Sequence, residues 1–460
     1  MKPNDVLLER WTETLARTGD SPAILNTQGE VVRTFRQINA RADDFERKVQ
    51  EFRPGSVLAV QLGNHEDWPS ILVACLRCGV VVLPLEQSIS EQQRETALKI
   101  CQASGVVENP VAIRKLHNER LKWRGSSPSL LKLTSGTTAA PRAIRFRSEQ
   151  LLADCDQICE TKGISDADLN FGVIPVSHSY GFSNLLTPLI ARGVPMVISR
   201  DRTPRAVLHD LARTNATLFP GTPVFYQAFC EMENVPALPG LRLCISAGAP
   251  LPLVVAKKFR ERLGLPIHSF YGASECGGIC YDREGREDIE GYVGAPMNGV
   301  DLESIGSSSE ASQVRVRSAA AGDGYFPESD DMKLGNGIFI PDDLLARRGD
   351  GFNIVGRVSD LINVAGRKVN PAEIEEVLLR VRGVRQAIAF GRVAVAGLRN
   401  EEIAACVVGD VDFREAALLE ACRKELTAWQ VPKRIFIVDA IPANERGKIS
   451  RKELAERYRA

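Results

Sequence analysis

No stretch of this 460-residue chain approaches the roughly 20 apolar residues needed to cross a bilayer, so a membrane-spanning helix is not expected. Charge of one sign is equally lacking. Lys and Arg total 58, Asp and Glu total 58, and a formal net charge of zero argues against a nucleic-acid scavenger or a polybasic membrane binder. The opening segment, MKPNDVLLERWTETLART, has no short apolar core of the kind a secretory signal carries. It reads as an amphipathic helix, and a cytoplasmic location is expected. The eleven cysteines are scattered through apolar runs, so neither a disulfide framework nor a structural metal site is expected. Cys75 and Cys78 form a C-x-x-C in ILVACLRCGV, without a second pair or a histidine cluster beside it. A redox pair would open a helix after a strand; this one reads as two thiols packed in a core helix.

A chain this long exceeds what one core usually serves, so two or three domains are expected. Residues 20 to 130 alternate short apolar runs (SPAIL, SVLAVQL, GVVVLPL) with helical patterns such as FRQINARADDFERKVQEF and EQQRETALKICQAS. That rhythm predicts parallel strands with crossover helices, and it returns at 170 to 300 in VPMVISR, ATLFPG and LRLCISAG. From about 310 to 356 the pattern turns to short antiparallel strands, QVRVRS, GIFIPD and GFNIVGR. A new unit begins near Val358. Asn370-Pro371-Ala372-Glu373 has the form of a helix start, with an Asn cap, Pro at the first position and Glu placed to reach back. Strand RQAIAFG, strand EIAACVVG, helix FREAALLEACRKEL and strand RIFIVDAI follow, which makes a small α+β domain of its own.

The strongest local signal is LLKLTSGTTAAPRAIRF, Leu130 to Phe146. An apolar strand runs into Thr134-Ser135-Gly136-Thr137-Thr138-Ala139, then Pro141-Arg142. Glycine lets backbone approach a ligand, and hydroxyls with amide hydrogens suit phosphate oxygens. The Walker pattern G-x-x-x-x-G-K-[ST] is missing. Taken alone, such a loop is as readily a plain turn.

The run resembles the phosphate loop of the adenylate-forming superfamily of acyl-CoA synthetases, peptide-synthetase adenylation domains and luciferases. Six further matches follow in that superfamily's order: Ser246-Ala247-Gly248-Ala249-Pro250; Tyr271-Gly272-Ala273-Ser274-Glu275; Ile340-Pro341-Asp342-Asp343-Leu344; Gly356-Arg357 with Asp360; Gly366-Arg367-Lys368-Val369 leading to Glu373; and Gly447-Lys448-Ile449-Ser450-Arg451. Read singly, Glu275 or Asp343 is a surface carboxylate and Lys448 a solvated charge; collinearity sets the functional roles above these.

The resemblance implies a large, multi-subdomain amino-terminal α/β domain over 1–357 and a small, mobile carboxyl-terminal α+β domain over 358–460. It also implies an AMP-forming ligase: a carboxylic acid and ATP give acyl-AMP and pyrophosphate, and the acyl group passes to a thiol, coenzyme A or a carrier-protein phosphopantetheine. Two anions must meet in the first step, so positive charge and oriented donors carry it. Thr134, Ser135, Gly136, Thr137, Thr138 and Arg142 would hold the phosphates. Glu275 would hold Mg2+ with the Ser274 hydroxyl beside it, where the family usually has Thr. Tyr271 would lie against adenine, with Gly248, Ala249, Pro250 and Gly272 forming a close-packed slot. Asp343 would accept the ribose hydroxyls, although Pro341-Asp342 replaces the usual Thr-Gly before it. Arg357 would contact ribose or phosphate, and Lys448 would bridge carboxylate and α-phosphate. Ser359 stands at the family's pivot, and Gly366-Arg367-Lys368 would help admit the thiol.

The acid pocket falls on Ile174 to Phe182, where His178, Tyr180 and Phe182 would border the acyl group with Ala247. Cys276, Gly277 and Gly278 would leave a roomy apolar cavity. No acidic residue in these segments grips an α-amino group, so an aryl or medium-to-long aliphatic acid fits better than an amino acid. The phosphate loop departs from the family at Ala139, Arg142 and Ala143, where Gly, Lys and Gly are usual. Arginine keeps the charge but replaces a point donor with a fork. A non-catalytic binder of ATP or acyl-adenylate is the rival from another class.

Overall fold

The computed structural model describes residues 5–110, 112–116, 121–123, 125–134, 142–305, 311–364, 367–393, 401–409, 414–442 and 449–458, with backbone alone at Ser359, Lys368 and Val393. Contacts gather the chain into two units. One comprises Met1–Glu303, Arg315–Pro341 and Arg348–Asn353; the other comprises Ser304–Val314, Asp342–Arg347 and Ile354–Ala460.

The first unit holds two sheets whose strands come from the apolar runs. One orders Tyr325–Phe326, Ala143–Phe146, Leu130–Leu133, Val81–Pro84, Val57–Val60, Ala103–Asn109 and Ala112–Lys115. Its central pairings are parallel, as expected for strands joined by crossover helices, and its edges are antiparallel. Val57, Val81, Leu83, Leu131 and Val106 fill its core. The second sheet runs from Pro22–Leu25 through Met196–Ile198, Asn170–Gly172, Leu218–Gly221 and Leu243–Ser246 to Ile267–Ala273, all parallel. It then turns antiparallel into Gly277–Tyr281 and Tyr292–Pro296. Phe171, Phe219, Tyr226, Phe229 and Phe259 pack its core. The opening amphipathic helix forms over Val6–Thr18 behind an Asp5 cap. Helix EQQRETALKICQAS is shorter than its pattern suggests. It ends at Ile100 because Gln102 takes a positive φ of 48°, and a strand starts at Ala103.

In the second unit, Val384–Val393, Glu401–Gly409 and Arg434–Ile437 form a sheet with helices Pro371–Leu379, Glu415–Glu425 and Arg451–Arg457. Period-2 alternation along Glu401–Gly409 sends Ile403, Ala405 and Val407 to one core and Ala404, Cys406 and Val408 to another, so both faces are covered. Asn370 caps its helix through Ala372 N–H at 3.2 Å. Glu373 does not reach back as the start motif suggested; its carboxylate accepts from Gln430 at 2.6 Å. Cys75 and Cys78 lie in helix Trp68–Cys78, at its end rather than its start, and burial pushes the Cys78 thiol up to about 11. No described helix is long and apolar enough to cross a membrane.

Candidate active site

Parallel strands end in loops at their carboxyl edges, where an α/β sheet exposes backbone donors and binds ligands. Three predicted segments follow strands at such an edge. His178 to Phe182 follows Asn170–Gly172, Ala247 to Pro250 follows Leu243–Ser246, and Tyr271 to Glu275 ends Ile267–Ala273. In the other sheet Leu130–Leu133, which precedes the phosphate-loop residues in sequence, pairs antiparallel with Ala143–Phe146, which follows them. Thr134 ties the base of the loop: both its N–H and its hydroxyl donate to Arg142 O, at 2.8 and 3.0 Å. Ser135, Gly136, Thr137, Thr138 and Ala139 lie outside the described residues.

Arg142 stacks on Tyr325, its guanidinium carbon 4.5 Å from the ring centre. Tyr325 in turn donates to Glu275 Oε1 at 3.2 Å. Burial, reinforced by the Glu275 charge, pushes this phenol far above its usual range, so it keeps its proton and donates it to the carboxylate. Gly322 N–H donates to Glu275 O at 2.9 Å, which fixes the same segment to the turn. Ser179 donates to Ser274 Oγ at 2.9 Å and joins the His178 segment to the Glu275 turn. The donor set of Glu275 and Ser274 fits Mg2+, which takes one or two protein oxygens and completes its shell with phosphate and water.

His178 caps a short helical turn, with Nδ1 accepting from Tyr180 N at 3.1 Å. Tyr180 stacks near Phe270 at 5.9 Å and donates to Ile245 O, while Phe182 is fully buried. Ala247 is buried; Gly248, Ala249 and Pro250 are exposed. Gly272 is closely packed against the neighbouring strand, and an added Cβ there would lie 2.6 Å from Gly277 O. Gly248 has open space, and its φ of 87° is what calls for glycine. Tyr271 is buried in its strand.

Gly277 and Gly278 do not hold a cavity open on their Cβ sides, as the sequence suggested. Asp154 Oδ1 stands 2.0 Å from an ideal Gly277 Cβ, and Met297 Sδ stands 2.4 Å from that of Gly278. Cys276 is fully buried, and its thiol is pushed well above its ordinary range by that burial. A cavity of about 350 Å3 does open in this unit, but it is polar, lined by Asn64, His65, Gln87, Glu108, Arg200 and Arg202 among others.

The second unit carries the other predicted residues. Asp343 is buried at the start of its strand, and its Oδ1 accepts from Arg357 Nε at 2.7 Å. Asp342 offers its carbonyl to Val358 N at 2.7 Å. Arg367 is exposed on the hairpin Ile362–Val364/Arg367–Val369 and lies 5.2 Å from the Trp429 ring centre. Asp360 and Arg451, from two separate motifs, pair at 2.8 Å, and Arg451 also holds Glu375. Ser359 sits in the helical turn Val358–Asp360. Gly366 and Lys448 lie outside the described residues.

Sequence reasoning missed Tyr325, Lys132, Asp154 and Lys162. Lys132 had a signal, a charge between leucines in an apolar strand; the other three had none.

The profile of the family described as AMP-binding enzyme matches residues 11–123 and 115–311, and that of the AMP-binding enzyme C-terminal domain matches 373–448. The probable CoA ligase CCL9 of Humulus lupulus is 27% identical over 463 residues, spanning 88% of this chain and 87% of that protein. The 3,4-dihydroxybenzoate–[aryl-carrier protein] ligase of Bacillus anthracis is 30% identical over 346 residues, 73% of this chain and 76% of that one. Among solved structures, ATP-bound MatB from Rhodopseudomonas palustris superposes with a TM-score of 0.85 at 21% identity, covering 99% of both chains, a likeness of fold.

Proposed function

The chain belongs to the AMP-binding enzyme family and is an AMP-forming acid–thiol ligase; we propose that its acid is aryl or medium-to-long aliphatic and that its thiol is coenzyme A. The observation that supports ATP as the activating substrate is the line Arg142, Tyr325, Glu275, which sets a cation at the base of the phosphate loop and a carboxylate at the metal turn on one phenol. A polyphosphate needs both, the cation directly and the carboxylate through a metal. When bound at Glu275 and Ser274, Mg2+ supplies positive charge against the phosphates as pyrophosphate departs.

The chain's own groups do the rest of the positioning. Ser135 to Thr138 and Arg142 cradle the β- and γ-phosphates. Tyr271 lies against adenine, with Gly272 allowing close approach. Asp343, oriented by Arg357, takes the ribose hydroxyls. Lys448 neutralises the carboxylate and α-phosphate as their bond forms, an interaction stronger in the transition state than before it. His178 borders the acyl carboxylate, with Tyr180, Phe182, Ala247 and Cys276 around the acyl group. For the thiol step, Gly366-Arg367-Lys368 admits the acceptor, with Ser359 as the pivot between domains 1–357 and 358–460.

Delivery to a carrier-protein phosphopantetheine is the second reading. It is favoured by the 30% identity to a relative named as an aryl-carrier-protein ligase. The deciding experiment is pyrophosphate release on mixing enzyme, ATP, Mg2+ and a panel of aryl, aliphatic and amino acids, with and without coenzyme A. Turnover that needs coenzyme A identifies both acid and acceptor. Adenylate formation that coenzyme A fails to discharge favours the carrier protein, and ADP as the main product overturns the assignment of the site.

A further inference from the structure

Three charged side chains are withdrawn from water against the turn that carries Ser274 and Glu275. Lys132, on the strand leading to the phosphate loop, is 5% exposed; Asp154 and Lys162, on helix Ser148–Lys162, are 4% and 6% exposed. Lys132 Nζ lies 4.7 Å from the Phe146 ring centre and 5.5 Å from that of Phe182, with Ser183 Oγ at 3.4 Å. Lys162 donates to Asn184 Oδ1 at 2.8 Å and lies 3.4 Å from the Phe270 ring centre. A buried ammonium costs several kcal/mol unless an opposite charge accompanies it. The Asp154 charge favours the ionised form of each lysine, against the burial that lowers both. None of the three has a part in the reaction as described.

The Asp154 carboxylate is aimed at backbone. Its Oδ1 accepts Gly278 N–H at 3.1 Å and occupies the space in which a Gly277 Cβ would stand. Gly277 also has a φ of 68°, so the turn combines a left-handed residue with a carboxylate wedged against it. The hairpin that carries the turn is bulged between Tyr271 and Gly272, so ladder pairing alone does not set where Glu275 falls. An ionised acceptor on a backbone amide makes a bond roughly twice as strong as a neutral one.

We propose that Asp154 is a positioning residue for the metal turn: from helix Ser148–Lys162 it grips the Gly277–Gly278 backbone so that Ser274 and Glu275 present their oxygens to the metal. The proposal rests on the reading of Glu275 as the metal ligand.

The test compares Asp154→Ala, Asp154→Asn and Glu275→Gln with the wild type. Mn2+ is titrated, by electron paramagnetic resonance, into enzyme saturated with a non-hydrolysable ATP analogue, and thermal unfolding is followed in parallel. Asp154→Ala is expected to raise the Mn2+ dissociation constant about tenfold or more, the loss of one charge-assisted bond. Asp154→Asn, whose amide oxygen still accepts from Gly278, raises it less. A Mn2+ constant unmoved by Glu275→Gln overturns the reading of Glu275. A constant moved by Glu275→Gln but not by Asp154→Ala overturns the positioning role, whatever the variant does to the melting temperature. If Asp154→Ala does not fold, Gly277→Ala, which presses the turn away from the same carboxylate, is titrated in its place. An unchanged constant there overturns the proposal equally.

Discussion

The phenol of Tyr325 bonds Glu275 at 3.2 Å on its edge and carries the Arg142 guanidinium 4.5 Å above its face. One side chain therefore orients an anion and a cation that lie more than 130 residues apart in sequence, at 142 and 275. Tyr325 stands on the short strand that pairs with Ala143–Phe146, the strand that Arg142 precedes.

Tyr325→Phe separates these two contacts. The ring stays under Arg142 while Glu275 loses its donor. A hydrogen bond to a charged group is worth about 1.5–3 kcal/mol, so the Mg2+ concentration for half-maximal pyrophosphate release rises by about tenfold or more. Tyr325→Leu also removes the cation–π contact, worth about 0.5–1 kcal/mol at an accessible site, and adds a few-fold rise in the KM for ATP. A magnesium titration unaffected by Tyr325→Phe would mean that the bond to Glu275 has no bearing on the metal.

Arg142→Ala removes the cation at the loop's base and raises the KM for ATP by about tenfold or more. Arg142→Lys keeps the charge and gives up the stacked fork, so it stays close to the wild type. Steady-state kinetics over ATP concentration separate the three proteins. Identical values for Arg142→Ala and wild type would remove the triphosphate from this loop.

Lys448→Ala is expected to slow adenylation by about 10²–10³, the usual effect of losing one preorganised donor to a developing charge. Thioester formation from supplied acyl-adenylate has no such demand and survives. Measuring pyrophosphate release and acyl-adenylate consumption on one preparation decides the matter. Parallel losses would make Lys448 a structural residue.

Burial drives the Lys162 ammonium down to about 7, against the opposing charge of Asp154. Its folded value lies below the ordinary 10.5 of the unfolded chain, so between the two the unfolded chain holds the extra proton. The stability of the wild type relative to Lys162→Met therefore rises as pH climbs from about 7 towards 10, by at most about 1.4 kcal/mol per pH unit, and this gain is lost as pH falls through 7. Tyr281, 5.6 Å away through its ring centre, is pushed upward by burial and does not titrate in that window. Denaturant unfolding of both proteins at about pH 7 and about pH 9 reads the difference directly; a constant difference would mean that Lys162 keeps its proton throughout.

Much of the fold was legible because periodicity encodes it. VLAV, VVLP, LFPG and LCIS are apolar runs of strand length bounded by turn residues, and each became a buried parallel strand. The candidate site residues could be named wherever a motif had a characteristic order, and two of them, Asp343 and Arg357, pair in the structure. Tyr325 was not legible, because GDGYFPESD reads as a loop and its role depends on a two-residue strand whose partner is far away in sequence. Asp154 was hidden for another reason. Two residues on, Asp156 is also an aspartate of helix Ser148–Lys162, but it pairs with Arg192 and Arg10, and no local pattern separates the two. Where the sequence suggested an opening at Gly277 and Gly278, the glycines instead admit a carboxylate and a thioether. Small residues signal close approach without saying by what.

All eleven cysteines are free thiols, and ten of them are buried. A ligase that makes an acyl-adenylate holds a strong electrophile whose intended acceptor is a thiol, so any thiolate of its own would compete for the product. Cys276, the residue next to Glu275, is sealed at 0% exposure with its ionisation suppressed by burial, and Cys155, Cys244 and Cys280 are pushed upward as well. Nucleophilicity belongs to the thiolate. The core therefore acts as chemical insulation: the enzyme's own sulfur is kept protonated and out of reach, and the acyl group is left for the sulfur that arrives from outside.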